Sequence, residues 1–253
     1  MKRLALGLLV LAGCRGSLSP LSNKIEVGKD PYVVFTADGE GGVGDLFASP
    51  LQGETQFQVT FSRVDERLPA LSPDGSMVIF VRSRRPGDTG EVSIVTMNLL
   101  NGAERRMPLP AGFVAEATAW SADGQHLYVR GTTGIFGAAA PPAHGVFAPV
   151  DPAERSAADS ALAVLLGDPP LAEVAPCPSG VGVCARLGND SLVAVAAEGS
   201  NPAKWPGDSI AYLEKDAWTV RPLAGGKTRV LRWLHGPGHI RELTTFRGAA
   251  KRE

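Results

Sequence analysis

"PALSPDGSMVIFV", beginning at Pro69, aligns without a gap on "TAWSADGQHLYVR", beginning at Thr118, at an offset of 49 residues. Ser72 falls on Ser121, Asp74 on Asp123 and Gly75 on Gly124, and an apolar run follows each. A repeat of this period narrows the fold sharply, because one such unit cannot bury its own apolar face and must stack against copies of itself. A degenerate third copy, "AKWPGDSIAYLEK" from Ala203, puts Trp205 where Leu71 and Trp120 stand in the others. A second element accompanies the first: "LQGETQFQVT" at Leu51, "LNGAERRMPL" at Leu100 and "LAGGKTRVLRW" at Leu223. Each follows a strand-like segment, "DLFASP" from Asp45, "EVSIVTMN" from Glu91 and "AWTVRP" from Ala217.

The local chemistry explains both elements. In "SPDG" the Pro73 ring presets φ for a turn, Asp74 can bond to the neighbouring backbone, and Gly75 supplies a positive φ. The "MVIFV" that follows is apolar at successive positions, so the strand must be covered on both faces. The L-x-G elements bend at Gly53, Gly102 and Gly225, with polar strands such as "ERRMP" beyond. A four-stranded unit ordered inner, buried, buried, outer is the plan of a propeller blade. A β-sandwich is the competing architecture for short strands at regular spacing.

These residues resemble the TolB-type β-propeller repeat, whose pattern is W-S-P-D-G, an apolar strand, then a second strand ending in a G-G-x-x-x-x-L-T hairpin. The match is good over Leu71 to Leu109, fair over Phe35 to Phe61 and Ala117 to Arg130, and weak from Gly134 to Asn201. There "GAAAPPAHGVFAPVDPAERSAADSALAVL" interrupts the third unit and obscures its later strands. At about 40 to 45 residues per blade, Gly28 to Phe246 holds about five. The expected fold is therefore all-β, a β-propeller of four-stranded blades, five in number, with six irregular blades as the alternative. The terminal "HIRELTTF" is expected to supply a closing strand alongside "NKIEV".

The chain opens "MKRLALGLLVLAGCRGS". Lys2 and Arg3 form a positive n-region, Leu4 to Leu11 an apolar h-region, and Ala12 and Gly13 the small residues before a cut. The run is too short to span a bilayer, which takes about 20 apolar residues. "LAGC" resembles the bacterial lipoprotein lipobox, and the resemblance implies acylation of Cys14, with cleavage before it. Several acyl chains make a durable anchor, since each buried CH₂ contributes about 0.8 kcal/mol. The expected organisation is a signal peptide over 1–13, a lipidated Cys14 with a flexible tether over 14–27, rich in Ser, Gly and Pro, and the propeller over 28–253. Arg15 follows the cysteine in place of the Asp that retains lipoproteins in the inner membrane of enteric-type bacteria, which points to the outer membrane.

Charge and cysteine usage fit an exported domain. The formal net charge is −1, and without Met1 to Gly13 there remain 23 basic and 26 acidic residues, a balance of −3. A nucleic-acid partner would need a clustered basic excess. "RSRRP" at Arg82 to Pro86 reads as a solvated loop. In "PCPSGVGVCAR" six residues rich in Gly, Pro and Ser separate Cys177 from Cys184, enough to turn a hairpin. In an oxidising periplasm they form a disulfide, contributing about 2.5 kcal/mol on the chain-entropy model.

The chain carries no G-x-S-x-G, H-E-x-x-H, P-loop or G-x-G-x-x-G motif. His235 and His239 flank Gly-Pro-Gly, which breaks the helix that an i, i+4 metal pair requires. The acidic loop "ADGEGGVGDLF", Ala37 to Phe47, lacks the ligand spacing of a calcium loop and reads as the link between two middle strands. Trp120, Trp205, Trp218 and Trp233 fall at strand positions that suit blade-to-blade packing. No metal or cofactor is expected, and catalytic residues are assigned to none. The reading is a noncatalytic, lipid-anchored envelope scaffold for a protein, peptide or glycan. The alternatives are a propeller enzyme acting on polysaccharide or peptide, and a small-ligand sensor in the channel. The TolB-type resemblance implies protein–protein contact at the periplasmic face of an outer membrane.

Overall fold

The apolar runs form strands whose alternate side chains enter two different cores, one on each face of the sheet. The computed structural model describes residues 20–249 apart from 22, 39–41, 52–54, 89, 144, 164, 168–169, 188–190, 207–208, 216, 224 and 232–239. The first sheet contains β1 (Tyr32–Asp38), β2 (Gly44–Pro50) and β3 (Phe57–Gln58). The second contains β4 (Asp65–Leu71), β5 (Met77–Ser83), β6 (Ser93–Asn98) and β7 (Glu104–Pro108), and the third β8 (Ala115–Trp120), β9 (His126–Gly131), β10 (Gly134–Ala139) and β11 (Ala148–Pro149). A short helix, α1 (Arg155–Leu162), leads to the fourth, with β12 (Leu165–Gly167), β13 (Pro170–Pro176), β14 (Val183–Leu187) and β15 (Leu192–Ala196). The fifth contains β16 (Ser200–Trp205), β17 (Ser209–Glu214), β18 (Ala217–Pro222) and β19 (Arg229–Val230), after which β20 (Ile240–Phe246) returns to the first. The described residues thus build five antiparallel four-stranded sheets in a propeller-like arrangement, four in simple sequence order and the first in the order β20-β1-β2-β3.

Val34 and Leu46 of the first sheet meet Val78 and Phe80 of the second, whereas Val33, Phe35 and Phe47 meet Trp205 and Trp218 of the fifth. That division is why "YVVF" is apolar without alternation: both faces are interior. Ile79, Val81 and Ile94 pack on Trp120, Leu127 and Val129 of the third sheet. Val174 and Val183 of the fourth meet Ile210 and Tyr212 of the fifth. On the third sheet's far face, Ala119, Tyr128 and Ile135 are covered by Ala158 and Leu162 of α1. The helix therefore occupies a position that strand packing takes elsewhere. It departs from the all-β expectation, and its Ala-rich sequence with Ala158 and Leu162 four apart gives it one buried face.

Both copies of the S-x-D-G turn have the same bonding. The Ser72 hydroxyl donates to Asp74 Oδ1 at 2.6 Å and accepts the Met77 amide at 2.9 Å, and Ser121 does the same with Asp123 at 2.5 Å and the His126 amide at 2.9 Å. Gly75 and Gly124 take φ of 67° and 71°, which an L side chain adopts only with strain. The turns join inner to second strands, and Trp205 ends β16 at the matching place. The L-x-G segments join third to outer strands, as their spacing predicts.

Ring closure differs in detail from the expectation. The "HIRELTTF" strand pairs with β1, Tyr32 opposite Phe246 and Phe35 opposite Leu243, and "NKIEV" forms turns instead of a strand. The tether and domain boundary shift as well. Leu21 and Ile25, assigned to the tether, are buried against Tyr32, Leu99 and Phe246, so the packed body takes in residues before Gly28. Cys14, His235, His239 and Trp233 lie outside the described residues.

Candidate functional site

Chain topology sorts the connections to two ends of the ring. The S-x-D-G and L-x-G bends lie at one, the turn end. Links between middle strands and links from one sheet to the next, α1 included, lie at the other, the loop end. Around the central channel the innermost strands, β4, β8, β16 and β20 among them, present their free edges, and a free edge leaves backbone groups that need partners. Neighbouring sheets supply them. The Thr118 hydroxyl donates to Leu68 O at 2.6 Å, Trp120 Nε1 to Ala70 O at 3.0 Å, and Asn201 Nδ2 to Arg241 O at 2.8 Å. Thr245 Oγ1 donates to Lys204 O at 3.0 Å, and the Leu71 amide to Thr244 Oγ1 at 3.3 Å.

Each of those four inner strands loses register at a bulge: between Arg67 and Ala70, Ala115 and Ala117, Ser200 and Ala203, and opposite Thr36 and Ala37. Bulges re-aim side chains and interrupt pairing. Leu68 and Asn201 sit there with positive φ, 54° and 50°. Inside the ring lies a cavity of about 330 Å³ whose polar lining includes Glu116, Thr118, Arg130, Asn201 and Glu242. Glu242 Oε2 accepts the Leu68 amide at 3.4 Å. Burial holds its carboxyl above the ordinary range, against the opposing pull of that amide and of Arg67. Among the described residues no aromatic side chain lines this cavity.

An ionic cluster sits at the loop-end mouth. Arg241 binds Asp38, donates to Asp65 Oδ1 at 2.9 Å, and so ties the last strand to the first and to β4. Asp65 is fully buried and also accepts the Gly44 amide at 3.0 Å. Between the first and second sheets the fully buried Glu66 accepts two Arg82 bonds, at 2.9 and 2.7 Å, and a bond from the Thr60 hydroxyl. Burial raises the Glu66 carboxyl despite those donors. Arg82 in turn reaches Glu104 at 2.7 Å, so this loop-adjacent arginine is an internal crosslink and not a solvated charge.

Cys177 and Cys184 are bonded, with Cα atoms 5.0 Å apart, and close the β13–β14 hairpin at the loop end. Trp120, Trp205 and Trp218 are buried between sheets. The Ala37–Phe47 stretch joins β1 to β2, the two middle strands of its sheet. No group of three or more His, Cys, Asp or Glu side chains placed to hold a metal occurs among the described residues. Among those residues no helix is long and apolar enough to cross a membrane. Sequence reasoning missed the channel residues Glu116, Arg130, Asn201 and Glu242, which come together from three separate sheets without any local motif.

No family model matches the chain, and no curated protein does. Among solved structures it is similar to TolB from Acinetobacter baumannii, with a TM-score of 0.51 at 12% identity, over 85% of this chain and 66% of that one. It is also similar to a chain of a nidogen/laminin complex, with a TM-score of 0.52 at 11% identity, over 85% of this chain and 98% of that one. At such identity the likenesses establish the fold alone. The chain has a TolB-like β-propeller fold.

Proposed function

We propose that this protein is a lipid-anchored, noncatalytic propeller of the cell envelope, its five sheets forming five blades, that docks a protein, peptide or glycan on its loop end. The observation that carries the reading is an exposed aromatic and an exposed stapled hairpin there, whereas the large apolar side chains exposed at the turn end, Leu100, Val146 and Leu223, are all aliphatic and unstapled. Phe61, in the link from β3 to β4, is 81% exposed, and Val181, in the disulfide-closed hairpin, is 61% exposed. Isolated apolar residues are ordinary on a surface. An exposed aromatic and a stapled hairpin around one mouth of a rigid ring give a partner preorganised contacts. Acylation of Cys14 supplies the membrane association.

A photo-crosslinker at Phe61 in the native envelope tests the docking. A discrete adduct that disappears in the Val181→Asp protein is expected, and an adduct pattern indifferent to Val181 counts against the loop end as the docking face. Cys14→Ser should leave an unprocessed precursor without acyl mass; normal processing of that variant overturns the anchor. A second reading, a small-ligand sensor or an enzyme acting in the channel, is favoured by the cavity that holds Glu116 and Glu242. Turnover of a polysaccharide or peptide by the purified protein, abolished in Glu242→Gln, would overturn the noncatalytic reading.

A further inference from the structure

The turn end of the ring is chemically unlike the loop end. At its mouth a basin of about 410 Å³ is lined by Ser72, Lys204, Thr244, Thr245 and Arg247, with Phe246 as its apolar wall. Among the described residues of this lining two are cations and none is a carboxylate. The nearest acid on the adjoining turn, Asp74, keeps its charge but directs it into hydrogen bonds from the hydroxyls of Ser72 and Ser76 at 2.6 and 2.7 Å. The cavity nearer the loop end has two carboxyl side chains, Glu116 and Glu242, and one guanidinium, Arg130.

The amino-terminal segment arrives at this same mouth. Leu21 is fully buried beside Leu99 and Phe246, Tyr32 donates from its hydroxyl to Gly75 O, and the Ala249 amide donates to Lys29 O at 3.1 Å. Both ends of the described chain are therefore fixed at the turn end. From Cys14 to Leu21 is seven residues, which at full extension reach about 25 Å. An acyl anchor on Cys14 holds this mouth, and not the opposite one, within that distance of the bilayer.

We infer that the turn end is the membrane-facing side, its Lys204 and Arg247 basin seated on the anionic phosphate headgroups of the bilayer that carries the anchor. This rests on the proposed acylation of Cys14. The ring then holds its loop end, with Phe61 and Val181, away from the membrane and open to a partner. Each basic residue near an anionic leaflet contributes about 1 kcal/mol, so Lys204 and Arg247 together favour the seated orientation by about 30-fold.

The test uses the full chain expressed in an envelope, purified from membranes and reconstituted in vesicles of phosphatidylcholine with phosphatidylglycerol. Gln125→Cys and Thr133→Cys place a fluorophore on exposed turns at opposite ends of β9, the first at the turn end and the second at the loop end. Headgroup spin-labelled lipid should quench the label at 125 more strongly than the label at 133. The difference should shrink in Lys204→Gln/Arg247→Gln and in pure phosphatidylcholine. Equal quenching, or stronger quenching at 133, overturns the orientation while leaving the anchor standing. Stronger quenching at 125 that ignores both the double substitution and lipid charge overturns the headgroup contact. Intact mass is read on the same sample, and absence of acyl mass at Cys14 overturns the anchor and the orientation together.

Discussion

The seam between the first and second sheets and the seam between the fourth and fifth join the same four-stranded unit with different side chains. Across the first, Tyr32, Leu46 and Phe246 of the first sheet pack on Phe80 and Met97 of the second. Across the other, Val174, Val183, Ala185 and Ala196 face Ile210 and Tyr212. At about 25 cal/mol per Å² of apolar surface, alanines contribute far less than rings. The small-residue seam is the one with a covalent tie beside it, Cys177 to Cys184. A ring of sheets need not be equally strong all round, and local opening concentrates where buried apolar area is least.

The sharpest way to break the comparison is to remove the strong seam's largest fully buried side chain from the second sheet. Phe80 is fully buried, and Phe80→Ala should cost about 3–5 kcal/mol, the range for a buried aromatic replaced by a cavity. Chemical denaturation should show one cooperative transition at a lower midpoint. A loss under 1 kcal/mol would show that this seam does not dominate.

The weak seam is probed by opening the hairpin staple of the fourth sheet. Cys177→Ser/Cys184→Ser should cost about 2.5 kcal/mol at most on the chain-entropy model. The loss should be local: amide exchange should quicken across β13 to β15 while β1, β2, β5 and β6 keep their protection. Equal quickening in both regions would mean the fourth sheet is no more independent than the rest.

The same contrast decided what could be read from residues alone. The strong seam announces itself, because "YVVF", "MVIFV" and the S-x-D-G turn carry their structure in local order. Trp120 and Trp218 declare packing by type, and the short spacing of Cys177 and Cys184 makes a hairpin staple. The fourth sheet gives no such signal. Its β12 to β13 link lacks the turn motif, and "LVAVA" over β15 looks buried yet leaves Leu192 and Val193 about half exposed. Helix α1 hid in an Ala- and Pro-rich stretch because its role, covering Tyr128 and Ile135, depends on a surface made elsewhere. Leu21 and Ile25 read as tether because two apolar residues among Ser, Pro and Asn carry no periodicity. The channel was less legible still: a bulge residue is defined by its partner strand, and Glu116, Asn201 and Glu242 meet only when the ring closes.

The finest comparison sets the two S-x-D-G turns against each other. Both aspartates are exposed, but Gly75 beside Asp74 lies under the Phe246 ring of the strong seam, whereas Gly124 beside Asp123 has only Pro73 near it. Partial burial works against the Asp74 charge, but the Ser72 hydroxyl and the Ser76 amide and hydroxyl outweigh it and hold the carboxyl below its ordinary range. The folded protein therefore takes up this proton less readily than the unfolded chain. Its stabilisation is complete above the unfolded carboxyl's pKa of about 3.9 and is lost as pH falls through the lower folded value. Asp74→Asn keeps an acceptor for Ser76 but gives up the charge, and after solvent screening should cost about 1 kcal/mol or less near neutrality. Denaturation midpoints of the variant and its parent should converge as pH falls below the lowered folded value. Asp123→Asn should reproduce the pH dependence at smaller amplitude, since no packed ring rests on its turn. An equal or larger effect at Asp123 would mean that the turn acts through its own hydrogen bonds alone, with the Phe246 seam contributing nothing to it.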